Sequence, residues 1–366
     1  MEGLMELETV TEILGEKPAL ALGGLIVGLL FGALAQRSRF CLRAATIEFG
    51  RGEMGSKVAI WVLAFSAAVA ATQGVISLGL LDVSEARQLS AAGSISGALM
   101  GGALFGVGMI LARGCASRLL VLSATGNLRA LVAGLILTVV AQASLRGVLS
   151  PSREYFSSLW IVEGGESRDI LALLGLNVSL AATIAVIWLL IGIWFAKRNR
   201  ISAPVTLSAI GVGLTVMLGW FITYSLSQAS FEPVGVKSIS FTGPSADTLM
   251  GLINEPGIPV GFDIGLVPGV FLGSFLASLI AREFKIQSFD ASTGMLRYII
   301  GAGLMGFGGM LAGGCAVGAG VTGSAVFSLT AWIALAAMWA GAMITDYLID
   351  RKVITGKSAT AFSKNQ

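Results

Sequence analysis

Long apolar segments recur along this chain, separated by short stretches rich in charges, glycine and proline. Nine of them are long enough, or nearly so, to cross about 30 Å of hydrocarbon as α-helices. They cover residues 19–36, 58–81, 95–113, 130–146, 176–196, 205–225, 262–281, 297–313 and 326–347. The pattern predicts an all-α polytopic membrane protein with about nine transmembrane helices.

Composition agrees with a membrane protein and narrows its chemistry. Of the 366 residues, 55% are hydrophobic and 12% are charged, against about 25% charged in soluble domains. A net charge of +3 gives no reason to expect a nucleic acid partner; the lipid bilayer is the expected surrounding. Histidine is absent, and the three cysteines form no C-x-x-C pair. These features exclude His-based metal sites, His general bases and a closed disulfide framework. We also expect no bound metal, no cofactor and no enzymatic activity.

Two glycine-rich stretches repeat each other at a constant shift of 200 positions. The residues that recur are Gly101, Leu104, Gly106, Gly108, Leu111, Ala112, Gly114, Cys115 and Ala116. The same shift carries the second, third and fourth spans onto the seventh, eighth and ninth, and the first span pairs with the sixth. The fifth span is left as a connector. Four spans, a connector and four spans predict an inverted repeat, which is typical of transporters.

The predicted organisation has five parts. An extramembrane segment (1–18) precedes the first repeat (19–146), and a connecting helix (176–196) leads to the inverted second repeat (205–347) and a cytoplasmic tail (348–366). A competing match between Gly24-x-x-x-Gly28 and Gly269-x-x-x-Gly273 is interpreted as a helix contact pattern, not as the repeat. With the N-terminus outside, most of the 24 lysines and arginines fall on the inner side. The bias predicts an N-outside, C-inside topology.

Four short segments between the spans are too polar or too glycine-rich for ordinary turns: 37–52, 114–127, 238–254 and 314–324. We predict four re-entrant loops that lead into half-helices. Irregular backbone at membrane depth survives only when protein buries it or when it lines a cavity. The free N–H groups of a half-helix can bind an anion.

These segments contain the candidate binding residues, and each has a simpler interpretation. Arg37, Arg39 and Cys41 share the first segment, which also fits a basic loop that anchors the protein in the membrane. The second segment, with the residue just before it, contains Arg113, Gly114, Cys115 and Arg118. Its glycine spacing can also be explained by helix packing alone. Gly314 and Cys315 form the uncharged counterpart of the second segment. Thr242 would start a half-helix in the third segment, 238–254, which an ordinary polar loop also explains.

Cysteine at these positions suits a sulfur-bearing anion. A thiol in apolar surroundings stays protonated and offers a weak S–H donor and a polarisable surface. The alternative is a thiolate nucleophile, which nearby arginines would favour. The sequence does not choose between the two, although no base partner is evident.

The motifs resemble those of the YeeE/YedE family of bacterial inner-membrane proteins over nearly the whole chain. They are residues 36–41 (QRSRFC), 114–117 (GCAS), 241–247 (FTGPSAD) and 313–318 (GGCAVG). The resemblance implies nine spans and four short helices in an hourglass, thiosulfate uptake, and a cytoplasmic TusA-like sulfurtransferase as partner. It also implies a central row of cysteines, here Cys315, Cys115 and Cys41 in that order. This chain departs from the family pattern at Ser38, Arg113 and Arg118, where glycines are usual.

The leading hypothesis is a permease for thiosulfate or a closely related sulfur anion. A membrane sulfurtransferase that carries persulfide sulfur is the first alternative, and a transporter of another sulfur or selenium species is the second. A scaffold that only docks a soluble sulfur-handling protein is the third. The scaffold gives no reason for the duplicated cysteine.

Overall fold

The computed structural model describes residues 15–230, 233–254, 260–288 and 294–351, so most of the predicted segment 1–18 and of the tail 348–366 lies outside it. The chain is helical almost throughout. The α-helices are α1 (Glu16–Ser38), α2 (Leu42–Gly50), α3 (Ser56–Ser77), α4 (Arg87–Ser90), α5 (Ile95–Leu111), α6 (Ala116–Ala124), α7 (Leu128–Arg146), α8 (Ser150–Ser158), α9 (Ile170–Leu174), α10 (Val178–Arg198), α11 (Ala203–Ala229), α12 (Thr242–Asn254), α13 (Phe262–Ile280), α14 (Met295–Leu311) and α15 (Leu329–Thr345).

Shorter elements complete the fold. Gly318–Gly323 and Asp346–Arg351 are π-helical, and Gly165–Arg168 forms a turn of 3₁₀ helix. A two-residue antiparallel ribbon joins β1 (Gly93–Ser94) to β2 (Ile161–Val162).

The predicted all-α membrane architecture is confirmed. Eight helical segments of the described chain are long and apolar enough to span a membrane, and α14 is a shorter apolar helix. Together they match the nine predicted spans. Polar caps mark several starts: Asn127 Oδ1 accepts from Ala130 N at 3.0 Å before α7, and Asn177 Oδ1 accepts from Ser179 N at 3.0 Å before α10. Such caps satisfy N–H groups that the first helical turn leaves free.

The helices α5 and α14 cross in an antiparallel arrangement with reciprocal contacts. A Cβ on Gly101 would lie 2.5 Å from Ala312 N, and a Cβ on Gly301 would lie 2.5 Å from Ala112 N. Likewise, a Cβ on Gly108 would meet Gly301 O at 2.5 Å, and one on Gly308 would meet Gly101 O at 2.7 Å. Each contact is repeated when 200 is added to or subtracted from its residue numbers. The two repeats are therefore related by an internal twofold axis perpendicular to these two helices.

Other contacts between helices also occur in pairs that the twofold axis relates. The first span packs on the seventh (α1 on α13), and its counterparts pack likewise (α11 on α3). The third span packs on the ninth (α5 on α15), and correspondingly α14 packs on α7. The connector α10 packs on α3, and its outer face is largely exposed. This arrangement is the 4+1+4 pattern that the sequence indicates.

Two glycine stripes bring α1 and α13 into backbone contact. Gly28 faces Leu266 O and Gly269 Cα, while Gly269 faces Leu25 O and Gly28 Cα. The match between Gly24-x-x-x-Gly28 and Gly269-x-x-x-Gly273 is thus a contact between packed helices, as small-residue spacing predicts.

Candidate translocation site

The break at Cys115 follows from three consecutive backbone choices. Helix α5 ends at Leu111, and Arg113 then adopts a left-handed φ of 58°. Cys115 is extended, with φ −83° and ψ 170°, and α6 begins at the next residue. The chain therefore leaves one helix and starts a half-helix within a few residues. Cys115 is buried, at 1% exposure.

The break at Cys315 has the same construction. Helix α14 ends at Leu311, and Gly313 takes a left-handed φ of 80°. The Gly318 N–H donates to Cys315 Sγ at 3.4 Å. At the matching place in the first half, the backbone N–H of Arg118 is directed at the Cys115 sulfur. Each thiol thus lies at the start of a half-helix, near the positive end of its dipole.

Glycine before each cysteine lets the half-helix fold back closely. A Cβ on Gly314 would lie 2.7 Å from Ala319 N, and a Cβ on Gly114 would lie 3.2 Å from Leu119 Cδ2. The contact at Gly314 is with backbone, which has little freedom to move. Gly314 is therefore required for the turn itself, and Gly114 fits where a small side chain would crowd Leu119.

Cys41 joins the Cys115 break from the first short segment. It is extended, with φ −162° and ψ 116°, and α2 begins directly after it. The thiols of Cys41 and Cys115 are neighbours that act directly on one another. On its other side, Cys115 Sγ lies 3.4 Å from Ser117 Oγ. Two of the three cysteines are therefore brought together, while Cys315 lies at the other break.

Unpaired arginine atoms surround the Cys41–Cys115 pair. Arg118 and Arg43 lie close enough to Cys41 to act on it electrostatically. Arg118 Nη1 and Arg43 Nε are both buried without a hydrogen-bond partner. A buried cationic donor without a partner is unfavourable, so these atoms are prepared to receive an anion. Arg113 is exposed at the surface and faces Arg43.

Arg37 and Arg39 lie in a different environment. Both are exposed, and they line a groove of about 890 Å³ whose walls come mainly from α1, α3, α11 and α13. Arg39 Nη2 pairs with Glu283 Oε1 at 3.3 Å, and Gln36 Nε2 donates to Glu283 Oε2 at 3.0 Å. The structure does not bring these two arginines to the cysteines, so a role for them in binding stays a prediction.

Thr242 starts α12 and is fully buried, and its Oγ1 has no hydrogen-bond partner. A Cβ on Gly309 would lie 2.9 Å from that oxygen. The preceding residue, Phe241, packs on Phe31 with ring centroids 5.2 Å apart. All four predicted short segments thus contain a short helix, although the one after Cys315 is π-helical.

The sequence reasoning missed an acidic residue close to the Cys41 end. Arg297 Nη2 donates to Asp350 Oδ1 at 2.7 Å, and Arg43 Nη2 lies 4.0 Å from Asp350 Oδ2. Asp350 comes from the π-helical turn after α15. Its position beyond the last span looked like a solvent-exposed tail, but Arg43 within the cysteine motif was an available signal. No group of three His, Cys, Asp or Glu residues in the described part could hold a metal ion.

Comparison with known proteins identifies the family. The sulphur transport family matches residues 37–344, which include both Gly-Cys breaks and all four short segments. The chain belongs to the sulphur transport family. It is similar to the thiosulfate transporter TsuA of Escherichia coli, with 27% identity over 90% of this chain and 95% of that protein.

Two further relatives are similar to this member of the sulphur transport family. The thiosulfate transporter TsuA of Spirochaeta thermophila is 28% identical over 85% of this chain and 93% of its own length. The probable transporter YedE of Escherichia coli is 30% identical over 42% of this chain and 40% of its own length. The chain is thus a multi-pass membrane protein of the sulphur transport family.

Proposed function

We propose that this protein is a permease that takes up thiosulfate, or a closely related sulfur anion, into the cytoplasm. The observation that carries the proposal is the pair of Gly-Cys breaks, related by the internal twofold axis. Each places a buried thiol at the start of a half-helix, where free N–H groups replace the water of an anion. The relatives named thiosulfate transporters, which match nearly the full length, support thiosulfate as the anion.

In this proposal the anion passes Cys315, then Cys115, then Cys41. Neutral thiols offer weak, polarisable contacts along the route, which favours entry without trapping the anion. Unpartnered Arg118 Nη1 supplies positive charge near the middle of the path. Thr242 Oγ1 offers a further hydrogen-bonding group, and Gly114 and Gly314 allow the close turns that expose the N–H groups.

Uptake of radiolabelled thiosulfate into cells or proteoliposomes tests the route. Cys115→Ala is expected to lower the initial rate about tenfold or more, which corresponds to the loss of about 1.4 kcal/mol. Ser123→Ala is the matched control, because its hydroxyl is on the same half-helix and donates only to Leu120 O. Undiminished uptake by Cys115→Ala would refute the proposed route.

A covalent variant of this function is favoured by one observation, the proximity of the Cys41 and Cys115 thiols. A thiolate would attack the outer sulfur of thiosulfate, form a cysteine persulfide and release sulfite. Mass spectrometry of protein exposed to thiosulfate distinguishes the variants. One added sulfur atom on Cys115 supports the covalent route, and an unchanged mass supports passage without a bond.

Membrane orientation forms part of the proposal. The basic residues around Cys41 and Asp350 belong to the group predicted inside, and those around Cys315 belong to the group predicted outside. An N-outside, C-inside orientation in the bacterial inner membrane follows from the positive-inside rule. A fluorescent protein fused after the last residue should be fluorescent in the cytoplasm, while alkaline phosphatase at the same place should be inactive.

The basic Cys41 side would also receive a small cytoplasmic TusA-like sulfurtransferase, which takes the anion's sulfur onward. Co-purification of the two full-length proteins tests this partner. Binding should weaken when Arg43 and Arg113 are both replaced by Gln, and retention of full binding by that double variant would argue against docking at this side.

A further inference from the structure

A cavity of about 320 Å³ lies beside the Cys315 break. Its walls include Gly313, Gly318 and Ala319 from the break itself. Three arginines also line it: Arg87, Arg153 and Arg168. Because the Gly318 N–H donates to Cys315 Sγ, the cavity floor is the backbone that holds the Cys315 thiol.

Arg168 is the unusual member of this group, because it is buried to all but 7% of its surface. Its Nη1 donates to Ala91 O at 2.6 Å and to Arg87 O at 3.2 Å. Its Nη2 donates to Thr330 Oγ1 at 2.6 Å. All three acceptors are neutral, and Nε is buried with no partner.

The positive charge of Arg168 is therefore uncompensated. Within the described ranges, no carboxylate lies within ion-pair distance of its guanidinium. Burial, followed by the charge of Arg87, lowers the pKa of Arg168, yet an arginine remains charged at neutral pH. A buried charge without a counter-ion is costly, and a bound anion would remove that cost.

The backbone directly after Arg168 is held in place by two contacts. Ile170 N donates to Phe327 O at 3.1 Å, and Asp169 forms a bridge with Ser328. Gly93 leaves room for the guanidinium, since a Cβ there would lie 2.5 Å from Arg168 Nε. The arginine is thus fixed at the cavity wall before any ligand arrives, which lowers the entropy that binding must overcome.

The charged residues that line the first cavity are all arginines, which favours an anion. Arg87 is exposed and forms no ion pair within the part of the chain that the structure describes. Arg153 Nη2 pairs with Glu154 Oε1 at 3.2 Å, a partner that is 65% exposed and therefore strongly screened. A second cavity of about 490 Å³ shares Arg87, Arg153 and Gly313 with the first. Its other charged lining residues are Lys237 and the carboxylates Glu85, Asp247 and Asp263, so the excess of positive charge belongs to the first cavity.

We propose that Arg168, together with Arg87 and Arg153, forms a binding site for a small divalent sulfur oxyanion at the entrance to the Cys315 break. This site, the Arg168 site, captures the anion before it reaches the first cysteine. That the captured anion is the transported one rests on the proposed function. Planar guanidinium groups bind tetrahedral oxyanions through paired N–H donors, which explains arginine at all three positions.

Equilibrium dialysis of the purified full-length protein in detergent tests the site, with radiolabelled thiosulfate and radiolabelled sulfate as separate probes. Arg168→Gln should weaken thiosulfate binding about tenfold or more, since a hydrogen-bonded charge is lost. Arg282→Gln, which removes a charge far from the cavity, is the matched control.

Arg87→Gln covers the possibility that Arg168→Gln does not fold. It keeps every hydrogen bond of Arg168, because only the backbone oxygen of Arg87 takes part in them, and it should weaken binding about threefold. The Arg168 site is overturned if a folded Arg168→Gln protein binds thiosulfate as tightly as the unaltered protein. If Arg168→Gln does not fold, unchanged binding by Arg87→Gln overturns the site instead.

Uptake measurements separate this site from the proposed function. In proteoliposomes, Arg168→Gln should raise the KM for thiosulfate about tenfold and leave the maximal rate within about twofold. If the unaltered protein moves no thiosulfate yet binds either probe through Arg168, the proposed function fails and the site stands. If uptake is intact and binding ignores Arg168, the site fails alone.

Discussion

Arg113 and Gly313 occupy matching positions of the two repeats and share the left-handed backbone conformation, with φ of 58° and 80°. Both residues lie two positions before a buried cysteine and end a packed helix. The left-handed turn is therefore a property of the repeated backbone. The first half places arginine at this position, and the second half places glycine there. Glycine adopts this conformation without strain, whereas arginine does so at a cost of about 1 kcal/mol.

Gly313→Ala isolates this backbone strain, because nothing lies within 4 Å of where the added Cβ would be. We expect the variant to lose about 1 kcal/mol of stability. The control is Gly303→Ala, which also adds a Cβ into open space but within the helix α14. There alanine should stabilise by about 0.5–1 kcal/mol. Chemical unfolding in detergent measures both, and equal effects would contradict the role of the left-handed turn.

Arg118 and Arg113 should differ in their effect on transport although both lie within three residues of Cys115. Arg118 has a buried, unpartnered Nη1 close to Cys41, while Arg113 is exposed to solvent, which screens its charge. We expect Arg118→Gln to raise the KM for thiosulfate about tenfold, and Arg113→Gln to raise it less than about threefold. Concentration-dependent uptake measures the difference. The reverse order would show that the exposed charge steers the anion.

The transmembrane spans could be predicted from sequence because hydrophobic length alone defines them. The face that each helix turns toward the protein interior could not be predicted, because a helix such as α1 is apolar all round and its sequence pattern marks no inner face. Arg37 and Arg39 illustrate the difference. Their proximity to Cys41 in sequence suggested a shared site, but α1 continues to Ser38 and Arg39 then turns toward Glu283.

The constant shift of the repeat predicted which helices correspond, and the twofold contacts of α5 and α14 follow from it. Long-range pairs between loops lie beyond such reasoning. Arg168 belongs to a polar stretch between spans, and only the folded chain brings it against Thr330 and beside the Cys315 break. Asp350 was hidden for the same reason, because its partner Arg43 lies more than 300 positions earlier in the chain.

The crossing of α5 and α14 should be equally sensitive on both sides of the twofold axis. An added Cβ would lie 2.5 Å from Gly301 O at Gly108 and 2.7 Å from Gly101 O at Gly308, and both obstacles are backbone. Gly108→Ala and Gly308→Ala should each cost about 1–3 kcal/mol by forcing the helices apart. Gly134→Ala in α7, where the added Cβ meets nothing within 4 Å, should not destabilise. Strongly unequal losses at the two matched glycines would contradict the twofold packing.

Asp350 holds two arginines at the Cys41 end, and its neutralisation should expose their repulsion. Its carboxylate is 22% exposed and contacts Arg297 at 2.7 Å and Arg43 at 4.0 Å. Asp350→Asn leaves both cations without this partner, so we expect a loss of about 1–3 kcal/mol, less than for a fully buried pair. A double-mutant cycle with Arg297→Met isolates the interaction energy between Asp350 and Arg297. The stability losses of the two single variants should not add in the double variant.

Glu154→Gln provides the matched control for Asp350→Asn. Its pair with Arg153 has a carboxylate 65% exposed, and loss of such a surface pair changes stability by less than about 1 kcal/mol.

Because Asp350 also competes with a passing anion for Arg43, its neutralisation should leave Arg43 freer to hold thiosulfate and slow its release. Asp350→Asn should therefore lower both the KM and the maximal rate of uptake. A variant as stable as the unaltered protein, with unchanged uptake kinetics, would show that Asp350 neither holds the arginines nor governs release.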